Sequence, residues 1–255
     1  MRAKMTNRGK PTSASAISAR VYGAARALVQ SYSTLQRDGA HLLAPILGAQ
    51  QPRQWDHYPS EDAVSKDGRY QWFYHSHDPE DRSAEVEHGH FHLFARIEKI
   101  ANSIDLESEK EFLRPFGAHE QTANTRHLLA IGMSPIGLPT SLFTVNRWVT
   151  GDLPLSGSVT VSLLSKLRLA TGYPVIDTVL TSVVRLHAPE IRDLVAERDR
   201  ALLDRAAHGP GGLDDESLEV LSVRALDVDR RLATARRQKS APRRAADRKV
   251  WKAGS

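Results

Sequence analysis

The chain of 255 residues contains no cysteine and no long apolar run. Without thiols it can form neither disulfides nor thiolate metal sites, so any metal ion must be held by imidazole or oxygen ligands. The basic N-terminus lacks the apolar stretch of a signal peptide, and no later window is apolar enough to span a bilayer. We therefore expect a soluble, cytoplasmic protein that does not contact a membrane.

A net positive charge is also lacking from most of the chain, although the net charge of the whole is +5. Residues 230–255 contain ten Lys or Arg and one Asp, so the remainder carries a net charge of about −4. A mildly acidic body argues against a nucleic-acid surface that covers the whole fold. We expect at most weak nucleic-acid binding through the basic tail, driven by the release of counterions.

Helices are predicted at both ends of the chain. Apolar residues at three- and four-residue steps from Ile17 to Leu35 form one stripe, and Gly39 is a suitable stop. Further helical patterns cover residues 158–170, 174–207 and 227–237. Pro189 lies inside the second of these segments and is expected to kink or divide it.

Between the helices, the apolar period changes to that of β-strands. GRYQWFYHSH (68–77) and EHGHFHLFARI (87–97) are aromatic and nearly alternate, and the polar residues between them predict a hairpin loop. RHLLAIGM (126–133) predicts a third strand, and TSLFTVNRWVTGD (140–152) predicts a strand or extended segment. The expected fold class is α+β, with a small antiparallel sheet built around a His-bearing hairpin and covered by N-terminal and C-terminal helices.

The two ends of the chain differ in composition from the part between them. Residues 1–13 are polar and basic and are predicted to be disordered, and residues 233–255 form a basic tail. No internal repeat is visible. We therefore predict a single α+β metal-binding domain over residues 14–232, and a homo-oligomer of this domain stays open.

Five of the eleven histidines fall within the predicted hairpin, namely His75, His77, His88, His90 and His92. Successive side chains of a strand point to opposite faces, so the histidines of each strand share one face. If His77 pairs with His88, then His75 pairs with His90 and Phe73 with His92, and all five imidazoles lie on one side. A register of the other parity would bury histidines among aromatic residues, so burial favours the clustered register.

The clustered register predicts a transition-metal site. Directly opposed side chains lie ~5 Å apart and neighbours on one face of a strand ~6.6 Å apart, so three or four imidazoles can converge on one ion. Neutral histidines suit iron, copper and zinc alike. Asp78 and Glu87 point to the opposite face of a regular strand, so a carboxylate ligand would need a bulge.

Further residues are candidates for supporting roles. In QWDHYP, His57 can be a further ligand or a catalytic acid or base, and Asp56 can orient a ligand imidazole; alternatively, the motif is a polar loop that closes one end of the sheet. His127 can extend the cluster from the third strand or cap that strand at the surface. Arg147 can bind a substrate carboxylate or phosphate or form a structural ion pair. Phe73 faces the histidines and would line a substrate pocket beside them.

The motifs WDHYP, YHSH, EHGHFHLFARI, HLLAIGM and LPTSLFTVNRWVTGD resemble those of an uncharacterised family of bacterial proteins, described as a domain of unknown function. The resemblance runs from about residue 20 to about residue 230, and EHGHFHLF is its most specific element. It implies one domain with the histidine block as its hallmark, and it adds no reaction.

The residues themselves predict a histidine-ligated metalloenzyme that acts on a small-molecule substrate. Iron or copper would imply oxidation with dioxygen, and zinc would imply hydrolysis or hydration through activated water. Aromatic surroundings and the lack of a carboxylate base on the histidine face favour the oxidoreductase. Two alternatives stay open. One is a protein that stores, delivers or senses a metal without turnover, which the surplus of histidines supports, and the other is a scaffold protein with a histidine-lined cleft.

Overall fold

The computed structural model describes residues 13–48, 52–53, 56–76, 87–117, 123–209 and 212–240. Most of the predicted N-terminal segment (1–12) and the end of the predicted tail (241–255) lie outside these ranges, as do His77 and Asp78. Within the described ranges, no helix combines the length and the apolar character needed to cross a membrane.

Six described strands form one antiparallel sheet in which neighbours in sequence are neighbours in space. They are β1 (Tyr58–Val64), β2 (Tyr70–Ser76), β3 (Gly89–Arg96), β4 (Thr125–Met133), β5 (Pro139–Val145) and β6 (Val220–Ala225). The predicted hairpin is β2 and β3, and the predicted later strands are β4 and β5. β1 and β6 escape prediction because they are the half-exposed edges of the sheet, where polar and apolar residues mix without a clear period.

Helices flank the sheet, as predicted for this α+β fold. They are α1 (Ser13–Arg37), α2 (Ala44–Leu47), α3 (Ile97–Ile100), α4 (Leu106–Leu113), α5 (Arg147–Thr150), α6 (Gly157–Ser165), α7 (Pro174–Leu186), α8 (Ala188–Ala206) and α9 (Val228–Ser240). Pro189 lies in the first turn of α8 and separates it from α7, as predicted. α9 continues beyond residue 232, the predicted end of the domain.

The segment after β5 is helical, which corrects the prediction of an extended chain over NRWVTGD. The Asn146 side-chain oxygen accepts a hydrogen bond from the Arg147 backbone N–H at 2.8 Å and so caps α5. Gly151 ends the turn with a φ of 75°, a conformation that favours glycine. Asn146 and Gly151, one at each end, therefore favour a helical turn over the extended chain that the sequence pattern predicts.

One face of the sheet forms a single hydrophobic core with α1, α6 and α7. Its large side chains are Tyr70, Trp72, Tyr74, Phe91, Leu93, Leu129, Ile131, Met133 and Leu142. The Trp72 Nε1–H donates a hydrogen bond to Asp177 Oδ1 of α7 at 3.1 Å, and the Tyr70 hydroxyl donates one to the Leu163 carbonyl of α6 at 3.0 Å. The polar tips of both rings are therefore satisfied inside the core.

β2 and β3 approach closely beside the predicted histidine cluster. A Cβ on Gly89 would meet the His75 carbonyl oxygen, the Tyr74 hydroxyl and, at 2.8 Å, the Ser76 Cα. Two of these atoms belong to the backbone of β2, which cannot move without disturbing the pairing of the strands. Gly89 is therefore required by close approach of the two chains.

The substitution Gly89→Ala should lower the free energy of unfolding by ~1–3 kcal/mol, because the added methyl group forces the two strands apart. Urea denaturation measures this change. Gly23→Ala in α1 is the control: nothing lies within 4 Å of its Cβ position, so the helix should gain up to ~1 kcal/mol. Equal effects of the two substitutions would contradict the close approach.

His187 lies buried between α7 and α8, and neither ring nitrogen has a hydrogen-bond partner among the described residues. The nearest carboxylate oxygen, on Glu190, is 4.0 Å from Nδ1. Burial lowers the pKa of His187 to about 4, against the opposing charge of Glu190. The folded protein therefore holds this imidazole in its neutral form at neutral pH.

Stability should fall as the pH drops from 6.5 to 4, because the unfolded chain binds a proton on His187 that the folded chain does not. The contribution of His187 to the free energy of unfolding is fully present above pH 6.5. Below that pH it is lost at ~1.4 kcal/mol per pH unit. We expect His187→Leu to remove this part of the pH dependence, measured by urea denaturation at several pH values. The same change at the exposed His208 should leave the dependence intact, and an unchanged slope in His187→Leu would refute the assignment.

Candidate metal centre

β2 and β3 pair in the register that burial favours. His75 lies opposite His90, and Phe73 lies opposite His92, as predicted. The rings on this side of the sheet contact one another on the face opposite the core. We call this the histidine face, and its residues are Phe73, His75, His90, His92, Phe94, His127 and Phe143.

Three imidazoles of the histidine face converge. One ring nitrogen each from His75, His90 and His92 lies within 4.8 Å of the others, and all three side chains are buried. Nε2 of His90 and Nε2 of His92 are 2.8 Å apart. The ring of His75 meets that of His90 edge-on, with centroids 4.3 Å apart. Neutral imidazoles in this arrangement are a ligand set that could hold a transition-metal ion.

Glu87 joins this triad, which differs from the expectation for a regular strand. β3 begins only at Gly89, and the preceding bend at His88 brings the Glu87 carboxylate to the histidine face. Glu87 Oε1 accepts a hydrogen bond from His90 Nδ1 at 3.3 Å, and Oε2 accepts one from the Ser141 hydroxyl at 3.0 Å. Gly132 leaves room for the carboxylate, because a Cβ there would collide with Glu87 and Ser141.

The same bend separates His88 from the other histidines, so the expectation that it shares their face is wrong. The Tyr74 hydroxyl, which belongs to the core side of the sheet, donates a hydrogen bond to His88 Nδ1 at 2.7 Å. Burial, and then the charge of His41, lower the pKa of His88. Burial, and then the charge of Glu87, raise the pKa of Tyr74. Tyr74 therefore keeps its proton and donates a hydrogen bond to a neutral imidazole.

His127 reaches the histidine face through a β-bulge in β4. β3 and β4 pair regularly as far as Leu93 opposite Leu129, and the register then shifts so that Phe94 lies opposite His127. Without the shift, His127 would have the parity of the core face. Leu128 and Leu129 are consecutive and both lie in the core, which marks the place of the extra residue.

His127 packs against the triad and extends it, which is the first of its two predicted roles. Its Nε2 is 3.1 Å from Nδ1 of His92. Burial, with a smaller effect of the Arg198 charge, lowers the pKa of His127 to about 3. A neutral imidazole has one donor and one acceptor nitrogen, so His127 can accept a hydrogen bond from His92 or donate one to it.

These contacts form one hydrogen-bonded chain that runs from Ser141 through Glu87, His90 and His92 to His127. A carboxylate can only accept, so His90 carries a proton on Nδ1 and, as a neutral ring, has a lone pair on Nε2. In the metal-free protein, His92 then donates from Nε2 to His90, and His127 donates from Nε2 to His92. This assignment of tautomers follows from the hydrogen-bond network.

Phe73 and His57 extend the site toward the surface. The His57 ring stacks on Phe73 with centroids 3.6 Å apart, and the Phe73 ring lies 5.0 Å from that of His92. Asp62, rather than the predicted Asp56, accepts a hydrogen bond from His57 Nδ1 at 3.2 Å. His57 is therefore separated from the triad by one aromatic ring.

Arg147 forms a two-pronged ion pair with Asp214. Its Nε donates to Asp214 Oδ1 at 2.9 Å and its Nη2 donates to Oδ2 at 2.8 Å. This geometry matches the planar fork of the guanidinium to the carboxylate. The contact supports the structural ion pair among the two predicted roles of Arg147.

Comparison with known proteins identifies a family without a named chemistry. Residues 22–226 match the family model described as a domain of unknown function, DUF6969. No curated protein and no solved structure matches the chain. The chemistry of the site therefore rests on its own residues.

In protein stripped of metal, His90 should be the Nδ1–H tautomer, because the Glu87 carboxylate can only accept. Multiple-bond ¹⁵N–¹H NMR spectra of histidine-labelled protein distinguish the two tautomers. In Glu87→Gln the side chain can donate as well as accept, so the preference at His90 should weaken while the spectrum of His208, far along the chain, stays unchanged. An Nε2–H tautomer of His90 in the wild type would refute the hydrogen-bonded chain.

Proposed function

Because the chain belongs to the DUF6969 family, whose activity is unknown, we propose a function from the site: a histidine-ligated transition-metal enzyme. His75, His90 and His92 would hold one ion. With iron or copper, the protein would be an oxidoreductase that acts on a small organic substrate.

The arrangement of the His90 and His92 nitrogens carries this proposal. Both Nδ1 atoms have a partner away from the centre: Glu87 Oε1 for His90 and His127 Nε2 for His92. The two Nε2 atoms face each other at 2.8 Å. Nitrogen ligands bound at ~2.0–2.1 Å to one ion stand about 3 Å apart, so the two Nε2 atoms are placed to share an ion once His92 carries its proton on Nδ1 instead. Carboxylate and other hydrogen-bonding partners on the far nitrogen are the usual groups that orient metal-bound histidines.

The same geometry favours an enzyme over a protein that stores or delivers metal. A surplus of histidines would support metal storage or delivery. However, His88 forms a hydrogen bond with Tyr74 and does not join the triad. The three converging side chains are buried, and two of them are oriented by partners, which suits one tightly held ion rather than several exchangeable ones. Three protein ligands also leave coordination positions open for a substrate or water.

The surroundings of the triad favour oxidation over hydrolysis. The rings of Phe73 and Phe143 pack against the imidazoles and make an apolar site that suits an organic substrate. Glu87 is engaged by both His90 and Ser141, so it orients a ligand rather than activating water. When bound, iron or copper would supply one-electron chemistry with dioxygen.

His57 is the residue we assign to proton transfer. Asp62 holds its Nδ1, and the stack on Phe73 keeps the ring on the outer side of the site. The side chain is 46 % exposed, so the imidazole can exchange protons with solvent. A histidine oriented by a carboxylate in this way is suited to general acid or base catalysis near neutral pH.

Elemental analysis of protein purified without an affinity tag tests the proposal. The wild type should contain close to one iron or copper ion per chain, and His90→Ala and His92→Ala should lose it, because each substitution removes a ligand. Glu87→Gln should keep the ligands but bind the metal ~10- to 100-fold more weakly. Circular dichroism and thermal unfolding verify that each variant is folded.

His88→Ala is the matched control, since this histidine is two residues from His90 but bonds to Tyr74. It should retain the metal content of the wild type. A wild type without metal, or equal loss from His88→Ala and His90→Ala, would refute the site. Two or more loosely held ions per chain would favour metal handling, and a stoichiometric zinc ion would favour a hydrolase; either result would refute the oxidoreductase.

A further inference from the structure

A groove between α1 and α7 gathers three arginines. Arg20 of α1, Arg168 after α6 and Arg185 of α7 line one cavity of about 450 Å³. The hydroxyl-bearing residues Thr178 and Thr181 line the same cavity. Guanidinium groups beside hydroxyl donors are the side chains that bind carboxylate and phosphate oxygens.

The positive charges in this groove crowd one another. Burial, and then the charges of Arg168 and Arg20, lower the pKa of Arg185. Asp177 supplies the carboxylate among the described lining residues, and its two oxygens already accept hydrogen bonds from Trp72 Nε1 and from the N–H and hydroxyl of Thr171. An anion that enters the groove would therefore meet guanidinium groups in excess of carboxylates.

A second cavity of about 190 Å³ continues the first and shares Arg20 and Arg185 with it. Arg192 also lines it, and the rest of its lining is mainly apolar and includes Ile17, Val21, Val161, Leu164, Val184 and Ile191. Ile17 is 60 % exposed, so apolar surface is open to solvent beside the arginines. In the combined groove, apolar side chains therefore lie beside guanidinium groups.

We propose that this groove binds a monomeric anionic amphiphile. Its oxyanion head group would lie among Arg20, Arg168 and Arg185, and its hydrocarbon chain would cover the apolar cavity. Charge complementarity selects the head group, and burial of the exposed apolar surface contributes the affinity of the chain. The site involves none of the proposed metal ligands, so it stands independently of the metal chemistry.

Isothermal titration calorimetry with decyl phosphate and decanoate, each below its micelle concentration, tests the groove. We expect saturable binding of one ligand per chain, ~10-fold weaker in Arg168→Gln because a charged hydrogen bond is lost. Ile17→Ser should weaken decyl phosphate binding without weakening inorganic phosphate. Whichever of the two amphiphiles binds more tightly identifies the head group, phosphate or carboxylate, and either result supports the site.

Arg26→Gln is the matched control, because Arg26 is an exposed arginine of the same helix that lines neither cavity. It should bind both amphiphiles like the wild type. Decanol binding as tightly as decyl phosphate, or an unchanged affinity in folded Arg168→Gln, would refute the oxyanion site. Inorganic phosphate binding as tightly as decyl phosphate would refute the apolar half. If the protein associates with anionic vesicles but does not bind the monomeric amphiphiles, the groove is refuted as their site, and the partner is a membrane surface.

Discussion

The pairing of β2 with β3 is the constraint on which the rest of the site depends. Because side chains alternate along a strand, the register that places Trp72 and Tyr74 in the core also places Phe73 and His75 on the opposite face. A slip of one residue would bring imidazoles into contact with α6 and α7 and move the aromatic rings of the core to the histidine face. The hydrophobic effect acting on one face of the sheet therefore gathers the histidines on the other.

Two departures from regular pairing turn this cluster of histidines into an ordered site. The bend at His88 moves Glu87 to the histidine face and His88 away from it. The bulge in β4 moves His127 to the same face. Each departure supplies a partner for one Nδ1 atom of the triad, so the Nε2 atoms of His90 and His92 face each other. Bulges beside functional sites commonly re-aim a side chain in this way.

Alternation and burial were enough to predict the α+β class, the His-bearing hairpin and the pairing of His75 with His90. They could not predict that Glu87, instead of His88, lies on the histidine face. The alternation of side chains between the two faces assumes a regular strand, and the chain bends at His88. Weak signals of both departures are present in the sequence. Gly89 inside a strand indicates close approach or irregular pairing, and the apolar pair Leu128 and Leu129 breaks the alternation of β4. The stack of His57 on Phe73 depends on tertiary packing that no local pattern encodes.

Burial also bears on which cation the three histidines could hold. The pKa of His127 is low chiefly because burial removes the water that would solvate its charged form. Protons and metal ions compete for the same lone pairs, and metal binding requires neutral rings. Glu87 places a negative charge next to His90, where it can offset the charge of a bound cation. A patch built to exchange protons would need solvent contact, whereas these imidazoles are buried and the far nitrogens of His90 and His92 are held by Glu87 and His127, an arrangement that could hold a metal ion.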